Sequence, residues 1–200
     1  MYYDAVENQH GLPHDPFKSI VAPRPIGWIG TNSKDGVPNL APYSFFNAFS
    51  DRPHIIGFSS SGYKDSVRNV DATGNFTCSF VSADLLEQMN VSSAAYDSGI
   101  NEFDEAGLSV RESVAIAAPG VEGALAILEC QHLETKHLTD LSGNSADSYL
   151  VLAQVVGIYI DDSCIVNGRF DITSARPAAR LGYMDYAVVD DVFEMFRPKL

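Results

Sequence analysis

Six short apolar runs separated by turn signals constrain this chain more than any other feature. They cover Pro25–Thr31, Leu40–Phe49, His54–Ser60, Asn75–Val81, Ala124–Glu134 and Tyr149–Ile160, and several are rich in β-branched and aromatic residues. That composition favours strands. Asp35-Gly36, between the first two runs, is a hairpin signal. Strands in this order, with no helix regularly following each, point to a closed or partly closed barrel rather than a doubly wound sheet. The expected fold class is mainly β with a few helices.

Two segments read as helices. Asp65–Thr73 starts at N-cap residue types and stops before Gly74, with Asp65 expected as the N-cap itself. Asp84-Leu85-Leu86-Glu87-Gln88-Met89 opens like a capping box and is expected to continue toward Ala95. Residues 1–20 read as an irregular arm. Asp97–Gly120, acidic and interrupted by Gly99, Gly107 and Pro119, reads as an excursion beside the barrel, where function tends to sit. With no repeat or linker-like shift, residues 1–200 are expected to form one domain.

Charge narrows the partners. Thirteen basic against 26 acidic residues give a net charge of −13. Such a surface repels nucleic-acid phosphate, so no nucleic-acid partner is expected. A lysine surrounded by polar donors is correspondingly informative. No apolar run approaches the roughly 20 residues of a membrane-spanning helix, so no membrane partner is expected either. Met1-Tyr2-Tyr3-Asp4 does not open a secretory signal. Cys78, Cys130 and Cys164 are odd in number and form no C-x-x-C, as for small core residues in a reducing cytoplasm. The expected localisation is cytoplasmic.

Three local constellations carry the chemistry. Ser59-Ser60-Ser61-Gly62-Tyr63-Lys64-Asp65-Ser66 lies between a strand and a short helix. Hydroxyls, a lysine and the unpaired N–H groups of a helix start could cradle a phosphate there. Alone, the octapeptide reads more readily as a polar loop capping a helix, since serine-rich strand-to-helix turns are common. It lacks the spacing of a P-loop, and the chain contains no G-x-G-x-x-G. Asn39-Leu40-Ala41-Pro42-Tyr43-Ser44-Phe45-Phe46-Asn47 would set Ser44 and Asn47 beside an aromatic wall, which suits a flat polar-edged ring. Ala22-Pro23-Arg24-Pro25-Ile26-Gly27-Trp28-Ile29 holds Arg24 between two prolines. By itself it reads as a turn arginine followed by a core tryptophan.

Other polar clusters carry less. His10, His14 and Asp15 lack a zinc spacing, and His132 and His137 should fall on opposite strand faces, so no metal site is expected. Glu102, Asp104 and Glu105 lack an EF-hand register and read as a solvated face.

In this order, A-P-R-P-I-G-W-I, N-L-A-P-Y-S-F-F-N and G-F-S-S-S-G-Y-K-D-S-V-R-N-V resemble the flavin reductase-like family of FMN-binding split barrels. N-E-F-D-E-A-G-L (101–108), V-V-G-I-Y-I-D-D (155–162) and R-L-G-Y-M-D-Y-A (180–187) extend the resemblance over nearly the whole chain. The resemblance implies a homodimer of six-stranded split barrels with FMN near the subunit interface. Ser59, Ser60, Lys64, Asp65 and Ser66 match the phosphate-side loop. Ser44, Asn47 and the backbone of Ala41, Pro42 and Tyr43 match the strand facing the ring and ribityl chain. Arg24 and Thr31 match positions near the cofactor, and Arg180–Tyr183 a segment that reaches the site from the partner subunit.

The implied activity is an NAD(P)H:flavin oxidoreductase with NADH or NADPH as co-substrate, serving an electron-acceptor protein or a monooxygenase component. A non-enzymatic, flavoredoxin-like FMN carrier fits the same motifs. A haem- or metal-binding barrel is a third reading. Hydride chemistry belongs to the cofactor, so no side chain is expected as a catalytic acid, base or nucleophile.

Overall fold

The computed structural model describes residues 1–198. The first half carries α1 (Phe17–Ile20), β1 (Arg24–Pro25), β2 (Gly27–Asn32), β3 (Pro38–Tyr43), β4 (Phe46–Asp51), β5 (His54–Ser61), α2 (Asp65–Thr73) and β6 (Asn75–Ser79). There follow α3 (Leu86–Val91), α4 (Glu102–Glu105), β7 (Val110–Arg111), β8 (Gly120–Val121), β9 (Ala126–Thr139) and β10 (Ser145–Ile160). The chain finishes with β11 (Ile165–Val166), β12 (Arg169–Phe170), α5 (Ile172–Ala175), β13 (Ala178–Arg180) and β14 (Tyr186–Val188).

One antiparallel sheet dominates, in the order β3-β2-β6-β9-β10-β5-β4. Its edge strands β3 and β4 are consecutive in sequence, so the sheet curls until its edges meet at Ser44-Phe45. The fold is a split barrel of the mainly β class. The run expected as one strand over Leu40–Phe49 breaks at that seam, because β3 pairs with β2 while β4 pairs with β5. The seven strands therefore occupy the six runs of sequence. Across the seam the Tyr43 and Phe58 rings lie 4.6 Å apart, and the Ser59 N–H donates to the Phe45 carbonyl at 2.8 Å.

Strand alternation divides the core in two. Ile29, Phe58, Phe76, Cys78, Cys130 and Val151 fill one cluster, together with Val67 and Val70 of α2. Trp28, Leu40, Met89, Phe103, Val121 and Ile127 fill the other, covered by the stretch that carries α3 and α4. Val67 and Val70, three residues apart, share one helical face. Burying that face fixes where the N-terminus of α2 points. Gly74 takes the left-handed conformation (φ 75°) and closes the helix, as expected of a C′ glycine.

The second helix is shorter than its sequence promised. A 3-10 turn over Ala83–Leu85 leads into α3, which ends at Val91. Ser92 and Ser93 turn their hydroxyls back onto the carbonyls of Met89 (2.8 Å) and Asn90 (2.6 Å), and the Trp28 indole donates to the Ser92 hydroxyl at 2.9 Å. Those bonds stop the helix short of Ala95.

The cysteines are free and buried. Burial pushes the Cys78 thiol up to about 12 and raises that of Cys130. The unfolded chain ionises these thiols near pH 9 while the native one keeps its protons. Stability is therefore expected to fall as pH rises from 9 toward 12. Urea midpoints measured across that window check it, and Cys78→Ala should flatten the slope.

Candidate functional site

β5 runs through Ser59, Ser60 and Ser61, paired with Leu150, Tyr149 and Ser148 of β10. Gly62, at φ 83°, ends the pairing and donates its N–H to the Asp147 carbonyl at 2.7 Å. Lys64 then stands extended as the N-cap of α2, with no side chain capping the helix. This corrects the assignment of the cap to Asp65, which is the first helical residue. Its carboxylate is drawn away to Arg68 and to the Ser98 hydroxyl (3.2 Å). The first-turn N–H groups of α2 consequently keep their donor capacity, and the helix dipole adds partial positive charge. Lys64 is exposed and joins no ion pair among the described residues.

This helix start opens onto a cavity of about 480 Å³ lined by Ala41, Pro42 and Tyr43 of β3 and by Lys64, Asp65 and Ser66. Tyr63, Ser93, Tyr96 and Glu102 also belong to its wall. A second cavity of about 450 Å³ gathers Arg24, Ser44, Asn47 and Ser59 beside Phe45 and Phe49. Tyr43, in the wall of the first cavity, and Ser44, in the wall of the second, are consecutive at the barrel seam. Ten of the expected residues thus line one cavity or the other. Thr31 and Ser60 line neither and are fully buried.

The buried polar residues form a support under the cradle. Thr31 donates to Asn39 Oδ1 (3.3 Å) and accepts from Asn69 Nδ2 (3.1 Å), while Ser66 donates to the same Asn39 oxygen (3.3 Å). Asn39 Nδ2 and the Leu40 N–H donate to Glu102 Oε2 at 2.7 and 2.9 Å. Glu102 therefore ties α4 to the edge of β3 and is no part of a solvated face. Ser60 donates to the Gly62 carbonyl at 2.9 Å, which pins the turn. Burial raises the Tyr43 phenol above its ordinary range, keeping it a neutral hydrogen-bonding group.

Arg24 serves the frame first. Its Nη1 donates to the carbonyls of Lys18 and Val21, and its Nη2 to the Leu181 carbonyl at 2.6 Å. It joins the N-terminal arm to the segment after β13. Its Nε is buried without a hydrogen-bond partner, and the side chain lines the second cavity. Asn47 is exposed, with Oδ1 accepting from the Ala48 N–H at 2.8 Å.

His132 and His137 depart from expectation. β9 bulges at Leu133, since Glu134 faces Leu152 while His132 faces Ala153. One extra residue restores both histidines to the same face. Ser93 was missed because it falls where α3 was expected to continue toward Ala95, and Tyr96 because it lies just past that expected end in no motif.

Residues 20–173 match the family described as Flavin reductase like domain. The chain belongs to that family. An uncharacterized protein of Aquifex aeolicus is 32% identical over 169 residues, covering 82% of this chain and 83% of its own. Nitrilotriacetate monooxygenase component B from Bacillus cereus has the same flavin reductase-like fold, with TM-score 0.89, 26% identity and 98% of each chain covered. The flavoredoxin of Desulfovibrio vulgaris (Miyazaki F), at 18% identity and TM-score 0.76 over 86% of this chain and 90% of its own, shares the fold.

Proposed function

We propose that this flavin reductase-like chain binds FMN and acts as an NAD(P)H-dependent flavin reductase. The observation that carries the reading is the uncapped start of α2, with Lys64 at the mouth of a cavity, in a chain of net charge −13. Local positive character in so acidic a molecule suits a bound anion.

The residues present fit FMN. Lys64 and the first-turn amides of α2 would hold the phosphate, with Asp65 and Ser66 setting the helix start. Ser60 shapes the turn, and Thr31 stiffens the layer below. Ala41, Pro42, Tyr43, Ser44 and Ser59 would flank the ribityl chain and ring, with Asn47 offering its amide to the polar edge. Arg24 would contribute its side chain to the wall of the second cavity. Bound FMN would supply the electron-accepting chemistry, with NADH or NADPH as donor. The chain's tasks are binding, orientation and water exclusion, so no side chain is assigned as catalytic.

A homodimer belongs to this reading. Phe49, Ile158 and Val156 expose large apolar surface around the ends of β4 and β10, as a subunit interface would require. Sedimentation should give twice the chain mass. An electron-acceptor protein or monooxygenase component would take the electrons onward, in line with the component B neighbour.

The test is anaerobic titration of the FMN-loaded protein with NADH and NADPH, followed in the visible flavin band. A reductase bleaches the band on adding one of them and oxidises it faster as free FMN is added. A protein that keeps its flavin on dilution and does not bleach is a carrier, and the reductase assignment fails.

A further inference from the structure

Beside the first cavity, whose wall includes Tyr63, one cluster of polar and aromatic side chains converges on the turn that presents Lys64. Asp71 lies two helical turns along α2 from its start. Its Oδ2 accepts from the Tyr63 hydroxyl at 2.6 Å, and its Oδ1 accepts from the Thr135 hydroxyl of β9 at 2.5 Å. His132 Nε2 lies 2.8 Å from that Thr135 oxygen and 3.7 Å from Asp71 Oδ1. A hydroxyl carries one proton, which here goes to Asp71, so His132 Nε2 is the donor to Thr135. The Tyr63 ring meets Tyr149 of β10 edge-on at 5.2 Å, and Tyr149 stacks on His137 at 4.6 Å.

Tyr63 is thus gripped at its ring by β10 and at its hydroxyl by α2. It directly precedes Lys64, and the residue before it, Gly62, is bonded to Asp147. With both neighbours of the turn held, the direction in which Lys64 leaves the backbone is set by Tyr63. The Leu133 bulge brings His132 to this side of the sheet; without it the β9 end of the tie would be lost.

We propose that Asp71 and Tyr63 are positioning residues for the phosphate cradle, holding Lys64 and the first turn of α2 against the strands β9 and β10. This rests on the reading of that turn as the FMN phosphate site. Hydrogen bonding to Asp71 is also the leading cause of the raised Tyr63 phenol, which keeps it protonated as the donor the tie needs. Neither side chain has to touch the flavin ring.

The role separates from plain structural support by which flavin it affects. Riboflavin has the ring and ribityl chain of FMN and lacks the phosphate. Tyr63→Phe removes only the hydroxyl and retains the ring contact with Tyr149. It is expected to raise the FMN dissociation constant about fivefold, the scale of one ordinary net hydrogen bond, and to leave riboflavin binding unchanged. Thr135→Val, which cuts the tie from the β9 side, should act in the same direction. In the Lys64→Ala background, Tyr63→Phe should add almost nothing, because the group it positions is gone.

Thermal melts confirm that each variant is folded. Equal weakening of FMN and riboflavin, or no change for either, in both Tyr63→Phe and Thr135→Val overturns the positioning role. If Lys64→Ala alone leaves the FMN-to-riboflavin ratio unchanged, the cradle reading fails first and this inference falls with it.

Discussion

Phe58→Ala is expected to lower the unfolding free energy by about 4 kcal/mol, the middle of the range for losing a buried aromatic ring. Phe58 is fully buried in the barrel cluster, with Tyr43 at 4.6 Å on the far side of the seam and Phe76 edge-on at 5.4 Å. Deleting its ring removes the packing that holds β3 against β5 where no ladder joins them. Neighbours on three strands cannot close a hole of that size without breaking pairing. Urea unfolding should show a lower midpoint at an unchanged slope. Leu141→Ala, at a fully exposed position (100%), should change stability by only about 0.5 kcal/mol. Similar small losses in both variants would mean that the seam is not held by this packing.

Lys64→Ala is expected to weaken FMN binding roughly thirtyfold, or about 2 kcal/mol, the range for a hydrogen bond between charged groups. Riboflavin affinity should not change, and neither should the melting temperature, because the side chain is exposed and joins no ion pair among the described residues. The loss should shrink in high salt, since screening already weakens the wild-type contact. Ser66→Ala is a poorer probe of the same site. Its hydroxyl is buried against Asn39, so the substitution disturbs the support that also contains Thr31, Asn69 and Glu102. Isothermal titration of both variants with FMN and riboflavin separates the two effects.

The barrel was legible because strand alternation and turn signals are local properties. The six apolar runs reappear as strands, with Asp35-Gly36 between β2 and β3 and Gly74 ending α2. Long-range contacts decided what the runs could not. Trp28 reaches Ser92 across 64 positions and helps end α3, a contact that no helical pattern near Glu87 foretells. The Leu133 bulge reversed the expected facing of two histidines, since alternation assumes an unbroken ladder. Glu102 resembled its acidic neighbours until β3 presented Asn39 and the Leu40 N–H to it. The serines and Lys64 of the cradle were visible in sequence, whereas the N-cap position of Lys64 and the inward turn of Ser60 and Ser66 depend on backbone geometry.

Those differences shift weight within the candidate site. Of the serine hydroxyls that first mark the turn, those of Ser60 and Ser66 are spent on internal hydrogen bonds. The groups left to meet an anion are the Lys64 ammonium and the first-turn amides of α2. Arg24, which looks from sequence like a second positive group for the ligand, spends its guanidinium on backbone carbonyls and leaves only a buried Nε without a partner.

The most direct test of FMN binding through this cradle is equilibrium titration of the wild-type protein with FMN and with riboflavin, followed by flavin fluorescence. Saturable binding of FMN, at least about tenfold tighter than riboflavin, is the expected result. Equal affinities for the two flavins, or no binding of FMN, would contradict it.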